Sequence, residues 1–147
     1  MIEAFRIGGE SANTIRVEIL NRPWADKADH YDGNMVECQF HVSLGPISAI
    51  FKEMVWLFDL KSFKEEVEGM YRTLKGRAEF RPLSHALFLD LEMSRLGHVS
   101  VSGEACPCLY PIQKIIFDMG NEIDQTHLAL IQKQLEKALE AFPIIGD

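Results

Sequence analysis

The side chains best suited to metal or redox chemistry lie in one short segment, Cys106-Pro107-Cys108. Two neighbouring thiolates can bind a soft metal ion or form a redox pair, but the familiar motifs place two residues between the cysteines. Here one proline separates them, and the remaining cysteine, Cys38, falls on the apolar positions of an alternating segment. The spacing therefore favours a turn with two small, rather apolar side chains over a metal or redox site.

A second group of potential metal ligands is the polar run of Asp26, Asp29, His30 and Asp32. A calcium-binding loop needs acids at alternate positions, a glycine at its sixth position and a glutamate at its twelfth. The acids here are three residues apart, so the segment does not fit that pattern, and a solvated acidic loop is the simplest interpretation. The functional alternative is a partner-binding loop, because Trp24 and Tyr31 supply aromatic anchors beside the charges.

The sequence contains no recognisable catalytic or nucleotide-binding motif. None of its five histidines has the i, i+4 spacing of a helical metal pair, and Gly8-Gly9 lacks the spacing and the following lysine of a phosphate-binding loop. We therefore predict no catalytic residue, no cofactor and no metal. An enzyme with a site dispersed over the fold is an alternative, and a deep pocket that unites His41, His98 and carboxylates would favour it.

Composition and charge restrict the class of protein. With 147 residues, 47% of them apolar and 25% charged, the chain fits one globular domain that spans residues 1–147. Its net charge is −7, and residues 25–68 hold nine acidic and four basic side chains. An acidic chain without a cluster of lysine and arginine is a poor candidate for direct nucleic-acid binding, whereas an acidic surface attracts a basic partner.

Hydropathy and cysteine content bear on location. The longest uninterrupted apolar run, residues 54–58, is far shorter than the roughly 20 residues that span a bilayer. The first residues lack the basic flank and apolar core of a signal peptide, and three cysteines, an odd number, fit reduced thiols. We therefore expect a cytoplasmic protein with no membrane partner.

Two segments share one apolar spacing and predict two amphipathic helices. Each segment carries apolar residues at offsets 0, 3, 7, 10, 11 and 14 from its first member. The first segment has Leu60, Phe63, Val67, Met70, Tyr71 and Leu74. The second segment has Leu128, Ile131, Leu135, Ala138, Leu139 and Phe142. This period places each set on one helical stripe that should pack against an apolar surface. The first helix should begin at residue 59 or 62, because Ser62 and Glu65 match a capping box, with Gly76 as the residue after its end. The second should run from about Asp124 and stop at Pro143.

Alternation of apolar and polar residues predicts eight β-strands, of which residues 36–44 form the clearest. The strands should cover residues 2–7, 14–20, 36–44, 47–56, 78–83, 86–93, 98–104 and 112–119. A long polar loop, residues 21–34, joins the second and third strands, and loops of this length are often functional. The fold class predicted from these elements is α+β, with an antiparallel β-sheet of about six to eight strands packed by two amphipathic α-helices.

Several short stretches of the second half match a known pattern of small and apolar residues. They are Leu74-Lys75-Gly76-Arg77-Ala78, Leu87-Phe88-Leu89-Asp90-Leu91, Gly97-His98-Val99-Ser100-Val101-Ser102-Gly103, Ile116-Phe117, Asp124-Gln125-Thr126-His127-Leu128 and Leu139-Glu140-Ala141-Phe142-Pro143. On these stretches, roughly residues 47–145 resemble the WapI-type immunity proteins of bacterial polymorphic toxin systems. Related families of unknown function share the same skeleton.

This resemblance implies a non-enzymatic cytoplasmic protein that binds and neutralises the toxic domain of a cognate bacterial toxin, often a nuclease that acts on RNA. A nuclease presents a basic groove to phosphates, so the acidic charge of this chain suits such a partner. For an interface we predict the 24–32 loop and the polar face of the 36–44 strand, with the residues Trp24, Asp26, Asp29, Tyr31, Asp32, Glu37 and His41. The alternative is a small-molecule-binding or accessory α+β module without a toxin partner.

Overall fold

The computed structural model describes residues 1–9, 13–26 and 31–146, which form two antiparallel β-sheets and two α-helices. The N-terminal sheet has the order β1 (Ile2–Ile7), β2 (Asn13–Asn21), β3 (Met35–Leu44) and β4 (Ile47–Trp56). The C-terminal sheet has the order β5 (Arg77–Phe80), β6 (Leu87–Met93), β7 (His98–Leu109) and β8 (Ile112–Asp124). Helix α1 (Leu57–Thr73) connects the two sheets, and α2 (Gln125–Ala141) follows β8. The α+β class, the eight antiparallel strands and the two helices are confirmed, and the strands divide into two sheets of four.

Three phenylalanine rings join the two sheets through α1. Phe5 of β1, Phe63 of α1 and Phe80 of β5 have no exposed surface. The ring centroid of Phe5 lies 5.1 Å from that of Phe63 and 5.5 Å from that of Phe80, and the Phe63 and Phe80 centroids are also 5.5 Å apart. Tilted and edge-on rings at such distances are favourable beyond the apolar area that they bury. Helix α2 packs against α1 and β1, so both helices cover the same core.

The predicted apolar stripes of the helices form a large part of that core. The buried stripe residues are Leu60, Phe63, Val67 and Met70 in α1, and Leu128, Ile131, Leu135 and Ala138 in α2. Leu139 and Phe142 are partly buried and pack against the same core. The prediction is wrong for Tyr71 and Leu74, whose exposed fractions are 44% and 52%. Both lie at the end of α1, where Leu74 already leaves the helix with a left-handed φ of 56°.

Helix α1 begins earlier than predicted. Its first residue is Leu57, directly after β4, and Trp56 is the N-cap without a side-chain hydrogen bond. The predicted capping box of Ser62 and Glu65 is wrong, because both residues lie inside the helix. The chain enters the helix early because Leu57 and Leu60 are both buried in the core, and this burial outweighs a cap.

The end of α1 also differs from the prediction. Leu74, and not Gly76, occupies the left-handed position at the helix end, and its N–H donates to the carbonyl oxygen of Met70 at 2.8 Å. The carbonyl oxygen of Gly76 accepts from the N–H of Met93 at 3.0 Å. Gly76 therefore belongs to the turn that leads into β5, because it already pairs with the end of β6.

The start of α2 is confirmed at Asp124. The Asp124 side chain accepts hydrogen bonds from the backbone N–H groups of Thr126 at 2.9 Å and His127 at 3.3 Å. Hydrogen bonds from the Thr126 hydroxyl and the His127 ring hold the pKa of Asp124 well below its usual range. The carboxylate thus remains ionised at the positive end of the helix dipole.

The three cysteines are free thiols. Cys106 and Cys108 lie within β7, so the predicted turn at this segment is wrong. The register between β7 and β8 is irregular between Ala105 and Cys108, and this accommodates Pro107, since proline has no N–H for a regular ladder. Cys38 is buried in β3, and burial raises the pKa of its thiol. The Cys38 thiol is therefore neutral and unreactive at physiological pH.

A buried amide connects the long loop to the C-terminal tail. Asn34 has no exposed surface, and its Nδ2 donates to the carbonyl oxygen of Ile145 at 2.7 Å. Its Oδ1 accepts from the N–H of Ile145 at 2.8 Å and from Nη2 of Arg22 at 2.9 Å. Arg22 Nε also donates to the carbonyl oxygen of Gly33 at 2.8 Å. The two ends of the 21–34 loop are therefore held together, and the tail is fixed against them.

We expect Phe63→Ala to lower the free energy of unfolding by about 3–5 kcal/mol, because it removes the central ring and leaves a cavity. Leu135→Ala should cost about 2–5 kcal/mol for the same reason. Urea unfolding followed by circular dichroism measures both changes. Ser62→Ala, the exposed neighbour of Phe63 on α1, is the control and should change stability by less than about 0.5 kcal/mol. A cost of Phe63→Ala as small as that of the control would contradict the described core.

We expect Asn34→Ala to destabilise the protein by about 1–3 kcal/mol in total, because the partly buried partners of its amide lose hydrogen bonds. The affected groups are the N–H and carbonyl of Ile145 and the guanidinium of Arg22. The control is Asn21→Ala, because the amide of Asn21 also makes a hydrogen bond, but at an exposed position. Equal melting temperatures of the two variants would show that the buried amide does not hold the tail.

Candidate partner-binding surface

The N-terminal sheet has one face in the core and one face in solvent. Along β3 the buried side chains are those of Val36, Cys38, Phe40 and Val42. The alternate side chains point the other way and are partly exposed, as for Glu37, Gln39, His41 and Ser43. Both strand residues of the predicted interface, Glu37 and His41, therefore lie on this outer face.

The strand register determines which side chains surround these two residues. Glu37 lies opposite Asn21 of β2 and Met54 of β4. The Nδ2 of Asn21 donates to Oε1 of Glu37 at 2.9 Å. Because this partner is a neutral amide, the contact does not compensate the charge of Glu37.

His41 belongs to a network of charged side chains on the same face. Its Nε2 lies 2.5 Å from Oε1 of Glu18, and Nη2 of Arg16 lies 3.2 Å from both ring nitrogens. Arg16 also lies 3.4 Å from Glu18 and 3.8 Å from Glu3, whose Oε1 accepts from Arg6 at 2.9 Å. Such partly exposed ion pairs add little stability, but they restrict the orientation of the ring and of the neighbouring carboxylates.

An aromatic cluster continues the outer face towards the long loop. Trp56 lies opposite Met35 at the end of β4, on the same face as Met54 and Glu37. The ring centroid of Tyr31 is 5.5 Å from that of Trp56, and that of Phe58 is 4.6 Å from it. Tyr31 is nevertheless 49% exposed. The loop thus contacts the sheet through the rings of Tyr31 and Trp56, and the Tyr31 ring remains accessible to a partner.

The remaining predicted residues lie on the loop. Trp24 is 40% exposed and Asp26 is exposed. Asp32 is partly buried in the first turn of a short 3₁₀-helix, Asp32–Asn34. Asp29 lies outside the described residues. The structure therefore places Glu37 and His41 on the outer face, Tyr31 at its aromatic end, and Trp24 and Asp26 on the loop whose ends Arg22 holds together.

Sequence reasoning missed two central members of the charged network, Arg16 and Glu18. Both stand at polar positions of the alternating segment 14–20, so their exposure could have been predicted. Their proximity to His41 depends on the pairing of β2 with β3, in which Arg16 lies opposite His41. One sequence does not specify that register.

The structure offers limited support for the ligand-binding and enzyme alternatives. A hollow of 170 Å³ on the outer face, lined by Arg6, Arg16, His41 and Ile50 among others, is smaller than the about 300–1,000 Å³ of typical small-molecule sites. A more open hollow of 410 Å³ lies on the C-terminal sheet beside Arg81 and Phe88. His41 and His98 belong to different sheets.

In residues 1–9, 13–26 and 31–146, no three or more histidine, cysteine or acidic side chains form a group that could hold a metal ion. Neither described helix has the length and apolar character required to cross a membrane.

Comparison with known proteins gives one match. The family model described as the immunity protein WapI-like family matches residues 6–143. Searches of curated proteins and of solved structures found no match. The family match includes the N-terminal sheet and the long loop, which lie largely outside the resemblance of residues 47–145. Because the match covers most of the sequence, this chain belongs to the WapI-like immunity protein family.

Proposed function

We propose that this protein is a non-enzymatic immunity protein that binds the toxic domain of a cognate bacterial toxin in the cytoplasm and neutralises it. The observation that carries this proposal is the family match over residues 6–143. Neutralisation of this kind requires only binding. The affinity therefore depends on a surface that is accessible, preorganised and complementary in charge to the partner.

The proposed interface is an aromatic–acidic strip composed of Trp24, Asp26, Asp29, Tyr31, Asp32, Glu37 and His41. Large, partly exposed aromatic rings are the usual energetic anchors of protein interfaces, and Trp24 and Tyr31 provide two of them. The tilted contact between the rings of Tyr31 and Trp56 and the polar contacts of Arg16 and Glu18 with His41 support parts of this strip. Binding then requires less ordering of side chains, which favours affinity.

The charge of the strip suits a basic toxin domain. Asp26 is exposed, and Glu37 has a neutral hydrogen-bond partner, so both can face cations of a partner. A nuclease needs such cations to bind phosphates. Carboxylates that occupy the same groove exclude the nucleic acid, and the complementary fields accelerate association.

We expect a pull-down with the tagged protein from its source organism to capture one stoichiometric partner with a basic domain. Capture should weaken at high salt, because the attraction between exposed charges is screened. Mass spectrometry identifies the partner. Capture of a partner without a basic domain, or capture insensitive to salt, would contradict the electrostatic part of the proposal.

The triple variant D26N/D29N/D32N should bind the captured domain more slowly and with less salt dependence, while its melting temperature stays nearly unchanged. Stopped-flow association and calorimetry measure these quantities. The control is E65Q/E136Q/E140Q, which removes the same number of charges from exposed positions of α1 and α2. Equal effects of the two triple variants would place the interface away from the loop.

Tyr31→Ala should weaken toxin binding by about 2 kcal/mol or more if this ring is an anchor. Tyr71→Ala is a matched control, because Tyr71 is exposed to a similar extent, 44% against 49%, but lies on α1. Growth of cells that produce the captured toxin domain together with each variant provides a second readout. Full protection by the Tyr31 variant and none by the Tyr71 variant would overturn the proposed location.

A further inference from the structure

The last strand of the C-terminal sheet, β8, lies at the edge of that sheet. It is 13 residues long and pairs with β7 on one side. Within the part of the chain that the structure describes, no strand pairs with its other side. Such an edge presents unpaired N–H and carbonyl groups and is a template for another strand.

The outward side chains of β8 are unusual for an edge that faces water. Ile112 and Ile116 are 70% and 75% exposed. Lys114 and Asp118 are exposed at the alternate positions of the same face. Exposed isoleucines along a long edge strand favour association with another chain.

We propose that two copies of this chain associate through β8, in an antiparallel pair with the two-fold axis at Ile116. This register places Lys114 opposite the partner's Asp118, and Asp118 opposite the partner's Lys114. It also places the two Ile116 side chains opposite each other. A two-fold contact of this kind uses the same patch on both copies.

The charges select this register over its neighbours. With the axis one residue earlier, Lys114 would face the partner's Ile116 and Asp118 would face the partner's Ile112. With the axis one residue later, Asp118 would face the partner's Ile116 and Lys114 would face the partner's Gly120. The axis at Ile116 therefore matches opposite charges and also matches apolar side chains, which is the favourable arrangement for cross-strand pairs.

The surroundings of the lysine and of the aspartate fit this pairing. Nζ of Lys114 lies 3.8 Å from Oε2 of Glu104 on β7, the paired side of β8. This is a weak contact between exposed side chains, so the lysine can turn from β7 towards the free edge to meet the partner's Asp118. Oδ1 of Asp118 accepts from the N–H of Gly120 at 2.8 Å, which orients the carboxylate while its other oxygen can accept. The register of β7 and β8 shifts where Val101 and Ser102 lie opposite Gly120 and Asp118. Because this shift interrupts the regular strand, the two-fold axis of the dimer should lie before Asp118 in β8.

The resulting dimer joins the two C-terminal sheets into one sheet of eight strands. Its contact does not use the aromatic–acidic strip, which belongs to the N-terminal sheet and the long loop. Backbone hydrogen bonds and the isoleucines supply the attraction, and the exposed Lys–Asp pairs mainly fix the register.

Sedimentation equilibrium of the purified full chain over a wide concentration range tests this proposal. We expect the mass to rise from that of one 16.7 kDa chain to twice that value. I116K brings two cations together at the axis and should raise the dissociation constant at least about tenfold. I50K is the matched control, because Ile50 is 68% exposed on β4, the edge strand of the other sheet, and should leave the dissociation constant unchanged.

A charge exchange tests the register itself and does not depend on the folding of I116K. K114D and D118K should each weaken the dimer, and the double variant K114D/D118K should restore it, because opposite charges face each other again. A chain that stays monomeric at every concentration would overturn the proposal. So would a dimer that I50K disrupts and I116K does not, or a double variant weaker than both single variants.

The dimer and the toxin interface fail independently. D26N/D29N/D32N should remain dimeric, because none of its substitutions lies on β8. If that variant loses toxin binding but keeps the mass of a dimer, the strip binds the toxin and the dimer is not involved. If the wild type is monomeric but still binds the toxin, only the proposed dimer is wrong.

Discussion

The rings of Phe5, Phe63 and Phe80 contact one another in the core and hold both sheets against α1. Each ring comes from a different element, β1, α1 and β5, so the cluster joins both sheets to the helix between them. In the part of the chain that the structure describes, each strand pairs only with its neighbours in sequence, and hydrogen bonds between strands alone would therefore leave two separate sheets. The apolar contacts of α1 and α2 unite them, because burial removes both inner faces from water at once.

The elements could be predicted from the sequence because their signals are local. Strict alternation specified β3, the break at Gly45-Pro46 placed β4 after it as an antiparallel partner, and the 3.6-residue period identified the buried stripes. The capping box at Ser62 was misleading, because a local side-chain cap contributes about 1 kcal/mol and burial of Leu57 and Leu60 contributes more. The predicted turn at Cys106-Pro107-Cys108 is wrong because the register of β7 and β8 is irregular there, and an irregular register permits a proline inside a strand.

The candidate surface could be predicted only in part, because a surface depends on which strands are neighbours. Polarity and loop length indicated Glu37, His41 and the residues of the long loop. The network of Arg16 and Glu18 around His41 requires the register of β2 and β3. The buried amide of Asn34 was not foreseen either, because its partner, Ile145, is 111 residues away in the sequence.

The architecture separates the residues of the core from those of the outer face of the N-terminal sheet. Because inward and outward side chains alternate along each strand, the residues of the outer face can change without altering the core. The ends of the long loop are fixed by Arg22 and Asn34 through contacts with backbone carbonyls and the tail, and Tyr31 adds an aromatic contact with Trp56. A protein built in this way can alter the charge and shape of this outer face while the Phe5, Phe63 and Phe80 contact keeps the two sheets together.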